Sequence, residues 1–337
     1  MKAVAATAPG KVEVVEIPMP EIQDYECLVK VRACGLCNGT DLKIIDDEVS
    51  TIPVEFPVIL GHEGVGEVVQ VGKKVKNIRV GEVYLNPHGR IMPGSPFKSM
   101  WANMVEYGVL PDYQVMEELG IGGPRYGANL SIPPEIDVLD GGVILTLKEC
   151  FSAIRNFGFQ TGQAALVYGD GPVGLALLNF LRMAGAAWIG CVGHQPERLQ
   201  WIASHSRPDL LLNSHLESVP DRLAERRLEL VIDAVGSTAV IRQASHLLKP
   251  GGKVGIFGVI KKKDAVVSLL DLANNTSLHM LNWPYREHAT HEDIVGLVLQ
   301  GRINPKDYYS HVMAMEEAPK AVEMIRSRQA FKIVLAM

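Results

Sequence analysis

Two hydrophobic rhythms divide the chain. Up to about residue 135 the apolar positions come in short alternating or continuous runs at 12–17 (VEVVEI), 27–33 (CLVKVRA), 66–71 (GEVVQV) and 80–85 (VGEVYL). Clusters of Pro, Gly and Lys separate them, so they predict a β-rich region. From about 139 the rhythm changes. Strand candidates at 164–168, 188–192, 209–212, 229–233 and 253–258 alternate with helical stretches at 142–157, 172–184, 196–204, 238–248 and 292–300. Such alternation predicts a parallel, doubly wound α/β sheet with right-handed crossovers. The last 30 or so residues, with AFKIVL at 330–335, read as a helix and strand beyond that sheet. No internal repeat or low-complexity segment interrupts the pattern.

Length and composition narrow the class. A chain of 337 residues suits two domains and buries a substantial core. Its most apolar region, about 164–193, is broken by glycines and by Asp170, Asn179 and Arg182, which marks a β-α-β core rather than a membrane span. The opening residues 1–10 read as a strand and turn rather than a signal peptide. Lys and Arg number 33 against 38 Asp and Glu, a formal net charge of −5, which points away from nucleic acid and acidic membranes. The five cysteines, 27, 34, 37, 150 and 191, are odd in number and not spaced as a secreted framework. Reduced thiols and a cytoplasmic location are expected.

One motif carries chemistry on its own context. Gly169-Asp170-Gly171-Pro172-Val173-Gly174 lies between an apolar strand and a helical stretch, with a second strand after it. A G-x-G-x-x-G turn in that frame brings backbone N–H groups to a pyrophosphate at a helix N-terminus, so a nicotinamide or flavin dinucleotide is expected. A second constellation lies upstream: Cys34-Gly35-Leu36-Cys37-Asn38-Gly39-Thr40-Asp41 and Gly61-His62-Glu63-Gly64. A thiolate and an imidazole suit zinc. Taken singly, Cys34 reads as a buried small hydrophobe and His62 as a loop residue, and no second C-x-x-C completes a four-cysteine site.

In order and spacing, these segments resemble the zinc-dependent medium-chain dehydrogenases/reductases, among them alcohol, sorbitol, threonine and glucose dehydrogenases. The resemblance also takes in Gly81-Glu82-Val83, Val231-Ile232-Asp233-Ala234-Val235-Gly236-Ser237 and Leu248-Lys249-Pro250-Gly251-Gly252-Lys253-Val254. It implies a GroES-like catalytic domain at 1–138, completed by 303–337, and a Rossmann domain at 139–302, with the active site in their cleft. It implies Cys37 and His62 as catalytic zinc ligands, with Glu63 beside the metal or exchanging with a ligand. It implies Thr40 as a proton relay and Lys332 near the cofactor. Family members pair through the strand region 277–284, which implies a homodimer or homotetramer.

Three departures qualify those implications. The stretch from Asn86 to Tyr107 holds no cysteine, so one catalytic zinc and no structural zinc is expected. The usual third ligand falls on Leu145 or Thr146, and Glu149, about one helical turn later, is the candidate in its place. The hydroxyl after the cysteine ligand arrives one residue late, at Thr40. At the end of the second Rossmann strand, where an acid would select NAD, stands Gly193, followed by His194 and Arg198. NADP is therefore expected, with NAD as the other candidate. The expected activity is hydride transfer between NAD(P) and a secondary alcohol or ketone, a polyol, sugar or cyclitol, with Lys148, Glu149, Asn86 and His88 as groups to hold hydroxyls. The rival readings are a zinc-free NADPH-dependent reductase of the same fold and a non-catalytic nucleotide-binding protein.

Overall fold

A computed structural model describes residues 1–49, 53–122, 128–283 and 285–337. They form two compact units. One comprises Met1–Asp47, Pro53–Leu145 and His288–Met337; the other comprises Thr146–Glu287 with the stretch from Glu48. The units part inside the helix Gly141–Phe157 and again after Glu287, whereas the domain limits read from the sequence stand at 138/139 and 302/303.

The first unit is organised by the strand Glu26–Leu36. Its first part alternates, with Val29 and Val31 fully buried and Lys30 and Arg32 turned to solvent, the pattern of a sheet covered on one face. From Ala33 onward every residue is buried. This strand pairs antiparallel with Glu63–Val71, with Tyr107–Pro111 and, near its end, with Ile333–Ala336. The last of these pairings stitches the final strand of the chain into the N-terminal sheet. A smaller sheet runs in the order Lys11–Glu16, Lys2–Ala8, Val58–Ile59, Lys98–Ser99.

The second unit carries a parallel sheet in the order Leu210–Asn213, Trp188–Gly193, Ala164–Tyr168, Leu228–Asp233, Leu248–Ile256, Ser277–Met280. In order of appearance this is 3-2-1-4-5-6, the doubly wound arrangement. Central strands of such a sheet are covered on both faces and so read as continuous apolar runs. Leu166, Val167, Val231 and Ile232 are accordingly fully buried. The predicted strand at 80–85 is shorter than expected, Val83–Leu85, because Gly81 adopts φ +91° in the turn before it.

Candidate active site

Strand register assembles a polar cluster in the first unit. Gly35 pairs with Glu63, and Leu36 with Ile333. Cys37, just past one strand, thus meets His62 and Glu63 at the start of a second and Lys332 just before a third. Gly35 is needed there: a Cβ on it would stand 2.1 Å from the Gly142 carbonyl oxygen and 2.4 Å from Glu63 Oε2.

Among the described residues, Cys37, His62 and Glu63 form the group able to hold a metal ion, their donor atoms all within 4.8 Å of one another. Cys37 and His62 are half-buried and Glu63 is buried. Two further groups hold these donors in place. Asp41, fully buried, accepts from the Cys37 backbone N–H through Oδ2 at 2.8 Å and turns Oδ1 to His62 Nδ1 at 3.4 Å. A carboxylate behind the imidazole favours the tautomer that leaves Nε2 free as a ligand. Lys332 Nζ, also buried, donates to Glu63 Oε1 at 2.9 Å and lies 2.6 Å from Oε2. Burial opposes charge on both His62 and Lys332. Asp41 and Cys37 nevertheless hold the imidazole well above its usual pKa, and Glu63, Cys37 and Asp41 raise that of the ammonium. The indole of Trp101 lies against the imidazole of His62, ring centroids 5.4 Å apart.

The other residues singled out in the sequence lie as follows. Lys332 is bonded to Glu63. The Glu149 carboxylate accepts a hydrogen bond from the Tyr285 hydroxyl. Lys148 is fully buried, and that burial lowers its pKa to about 8 against the raising influence of Glu287 and Glu149, which does not suit a group meant to meet substrate hydroxyls from solvent. Asn86 adopts φ +56°, and the His88 backbone pairs with Val109. Thr40 opens the helix Thr40–Ile45 and donates its backbone N–H to Cys37 Sγ at 3.4 Å. Cys34 is fully buried, and burial pushes its thiol far up, as befits a core residue. Asp41, in contrast, had no role from sequence; its only signal was a charge placed where the strand–helix turn closes.

The second unit presents the glycine turn. Gly169 has φ +138°, and a Cβ on Gly174 would stand 2.0 Å from the Gly169 carbonyl oxygen, so helix and strand meet with no room for a side chain. Gly171 caps the helix Pro172–Met183, with Pro172 at its first position, and a Cβ on Gly171 would meet nothing within 4 Å. Open space before a helix N-terminus whose first turn carries no acid fits a pyrophosphate.

Residues 23–120 match the alcohol dehydrogenase GroES-like domain family, and residues 172–297 the zinc-binding dehydrogenase family. The chain belongs to the zinc-type medium-chain dehydrogenases. This dehydrogenase is 25% identical over 339 residues to the "Probable D-xylulose reductase A" of Neosartorya fischeri, covering 95% of this chain and 92% of the relative. It is 25% identical over 346 residues to the sorbitol dehydrogenase of Bombyx mori, covering 96% and 95%. A zinc-binding dehydrogenase of Sinorhizobium meliloti solved with NADP shares the fold, with a TM-score of 0.81 and 22% identity over 100% of this chain and 99% of that one. The chain is an NAD(P)-dependent oxidoreductase of alcohols and ketones. Among the described residues no helix is long and apolar enough to cross a membrane.

Proposed function

We propose that this dehydrogenase uses one zinc ion to move a hydride between the nicotinamide cofactor and a secondary alcohol or ketone of the polyol, sugar or cyclitol class. The observation that carries the reading is the Cys37–His62–Glu63 group, with Asp41 behind it. Thiolate, imidazole and carboxylate are a suitable zinc set, and half-burial of Cys37 and His62 leaves a side for substrate. Cys37 and His62 hold the metal, with Glu63 as the third donor. The absence of cysteines from Asn86 to Tyr107 supports one zinc per chain. When bound, zinc there supplies Lewis acidity to a substrate oxygen, and the dinucleotide gives or accepts the hydride.

The remaining work falls to the chain. Asp41 fixes the Cys37 backbone and faces His62 Nδ1, so both ligands are oriented in advance. Lys332 holds the Glu63 carboxylate in one position. The Thr40 hydroxyl, one turn from Cys37, is the first carrier of the substrate proton. Gly169, Gly171, Pro172, Val173 and Gly174 receive the pyrophosphate. The names of the D-xylulose reductase and sorbitol dehydrogenase relatives support the substrate class. A panel of pentitols, hexitols, cyclitols and simple secondary alcohols, read by cofactor absorbance, tests it. Polyols or cyclitols are expected to give the highest kcat/KM; turnover confined to simple alcohols would overturn the substrate class.

Assembly as a homodimer or homotetramer is proposed through the outer strand Ser277–Met280. It ends the parallel sheet and exposes Leu278, Met280 and nearby Trp283. Such an edge favours isologous pairing. Pro284 lies outside the described residues. Leu281 is itself buried, so the seam is tested at Met280. Light scattering should give at least twice the 36.8 kDa of one chain, and Met280→Lys should lower that mass. A monomeric parent protein would remove the interface.

A further inference from the structure

The expectation of NADP began from the missing acid at position 193. The structure places a carboxylate there from elsewhere in the chain. Asp170, the second residue of the glycine-rich turn, is 5% exposed and reaches across to the end of the second Rossmann strand. Its Oδ2 accepts from the backbone N–H of His194 at 2.8 Å and of Gln195 at 2.9 Å. A Cβ on Gly193 would stand 2.5 Å from Asp170 Cβ and 2.7 Å from its Oδ2. Gly193 is therefore glycine because the side chain of Asp170 occupies the space in which any side chain at 193 would begin.

We propose that Asp170 is the ribose-reading acid of this chain, supplied by the turn rather than by the strand, and that it selects NAD over NADP. The inference rests on the reading of the Gly169–Gly174 turn as a nicotinamide dinucleotide site. Two consecutive backbone N–H groups after a strand form a cup for an anion, the feature a 2′-phosphate would use. Here that cup already holds an anion of the protein's own. A 2′-phosphate would have to displace Asp170 from both bonds or stand beside a like charge. A ribose hydroxyl can instead donate to the carboxylate.

The surrounding groups fix this arrangement. The strand-end turn is tied from its other side, where Ser214 N–H donates to the Gly193 carbonyl at 2.8 Å and Asn213 Nδ2 to the His194 carbonyl at 3.3 Å. The His194 imidazole, expected at a phosphate, has Nδ1 3.8 Å from Asp170 Oδ2 and lies tilted against His215 with ring centroids 4.9 Å apart. Its positive charge, when protonated, faces an internal carboxylate.

Calorimetric titration of the zinc-loaded enzyme with NAD+ and with NADP+ tests the proposal without any turnover. Because a charge-assisted hydrogen bond is gained with one ligand and a like-charge contact imposed by the other, NAD+ should bind about tenfold or more tightly than NADP+. Asp170→Asn removes the charge at constant shape, and Asp170→Ser also opens the N–H cup. Both should bring the ratio of the two Kd values down, Asp170→Ser by about tenfold or more, through the same balance. If Asp170 only braces the turn, both ligands weaken together and the ratio stays constant, which overturns the proposal. Tighter NADP+ binding by the parent enzyme also overturns it while leaving the dinucleotide site standing. Binding of neither ligand removes both.

Discussion

Replacing Cys37 by Ser is expected to strip the protein of zinc and abolish nearly all turnover while the fold stays intact. The hydroxyl is a poor substitute for a thiolate toward zinc, and the change is close to isosteric at a half-buried position. His62→Ala should act alike. Loss of a ligand should cost at least the 10- to 100-fold in affinity that removal of a supporting partner costs. Because a Lewis acid supplies several kcal/mol of transition-state stabilisation, turnover should fall by roughly a thousandfold or more. Elemental analysis and circular dichroism of the two variants check both halves. Full activity in Cys37→Ser would remove the cysteine from the site, and a variant that loses its fold along with its zinc would make the cluster structural.

In the zinc-free protein, Lys332→Met should instead act on stability. Lys332 and Glu63 are both about 1% exposed, and removal of one member of a buried ion pair leaves the other charged without compensation. Such losses are typically about 3–5 kcal/mol. For compact units of this size that corresponds to a fall on the order of 10 °C in Tm. The double variant Lys332→Met, Glu63→Gln should recover a good part of it, because the uncompensated charge is then gone. Scanning calorimetry reads both. If Lys332 served the dinucleotide, as its family position implied, Lys332→Met would weaken cofactor binding and leave Tm unchanged.

The parallel strands were legible because burial on both faces makes their centres apolar, and Ala164–Tyr168 and Leu228–Asp233 lie within a residue of their expected limits. The candidate metal donors His62 and Glu63 stand side by side in the sequence and were legible together. Partnerships that depend on register were not. Lys332 is 269 positions from Glu63, and only the pairing of Leu36 with Ile333 brings them together. Asp41 stands in a short helix whose packing no local pattern announces. Counting along a helix likewise carries no information about the Tyr285 hydroxyl that Glu149 bonds. At Gly193 the sequence showed what was missing, and the structure showed what fills the space.

The central claim is that Cys37, His62 and Glu63 hold a zinc ion on which turnover depends. Its most direct test is a titration of the chelator-stripped enzyme with zinc, following bound metal and polyol oxidation in the same samples. Activity should be absent in the stripped protein and return in proportion to zinc, reaching its plateau at one equivalent per chain. Full activity in the stripped protein, or a plateau that requires two equivalents, would contradict it.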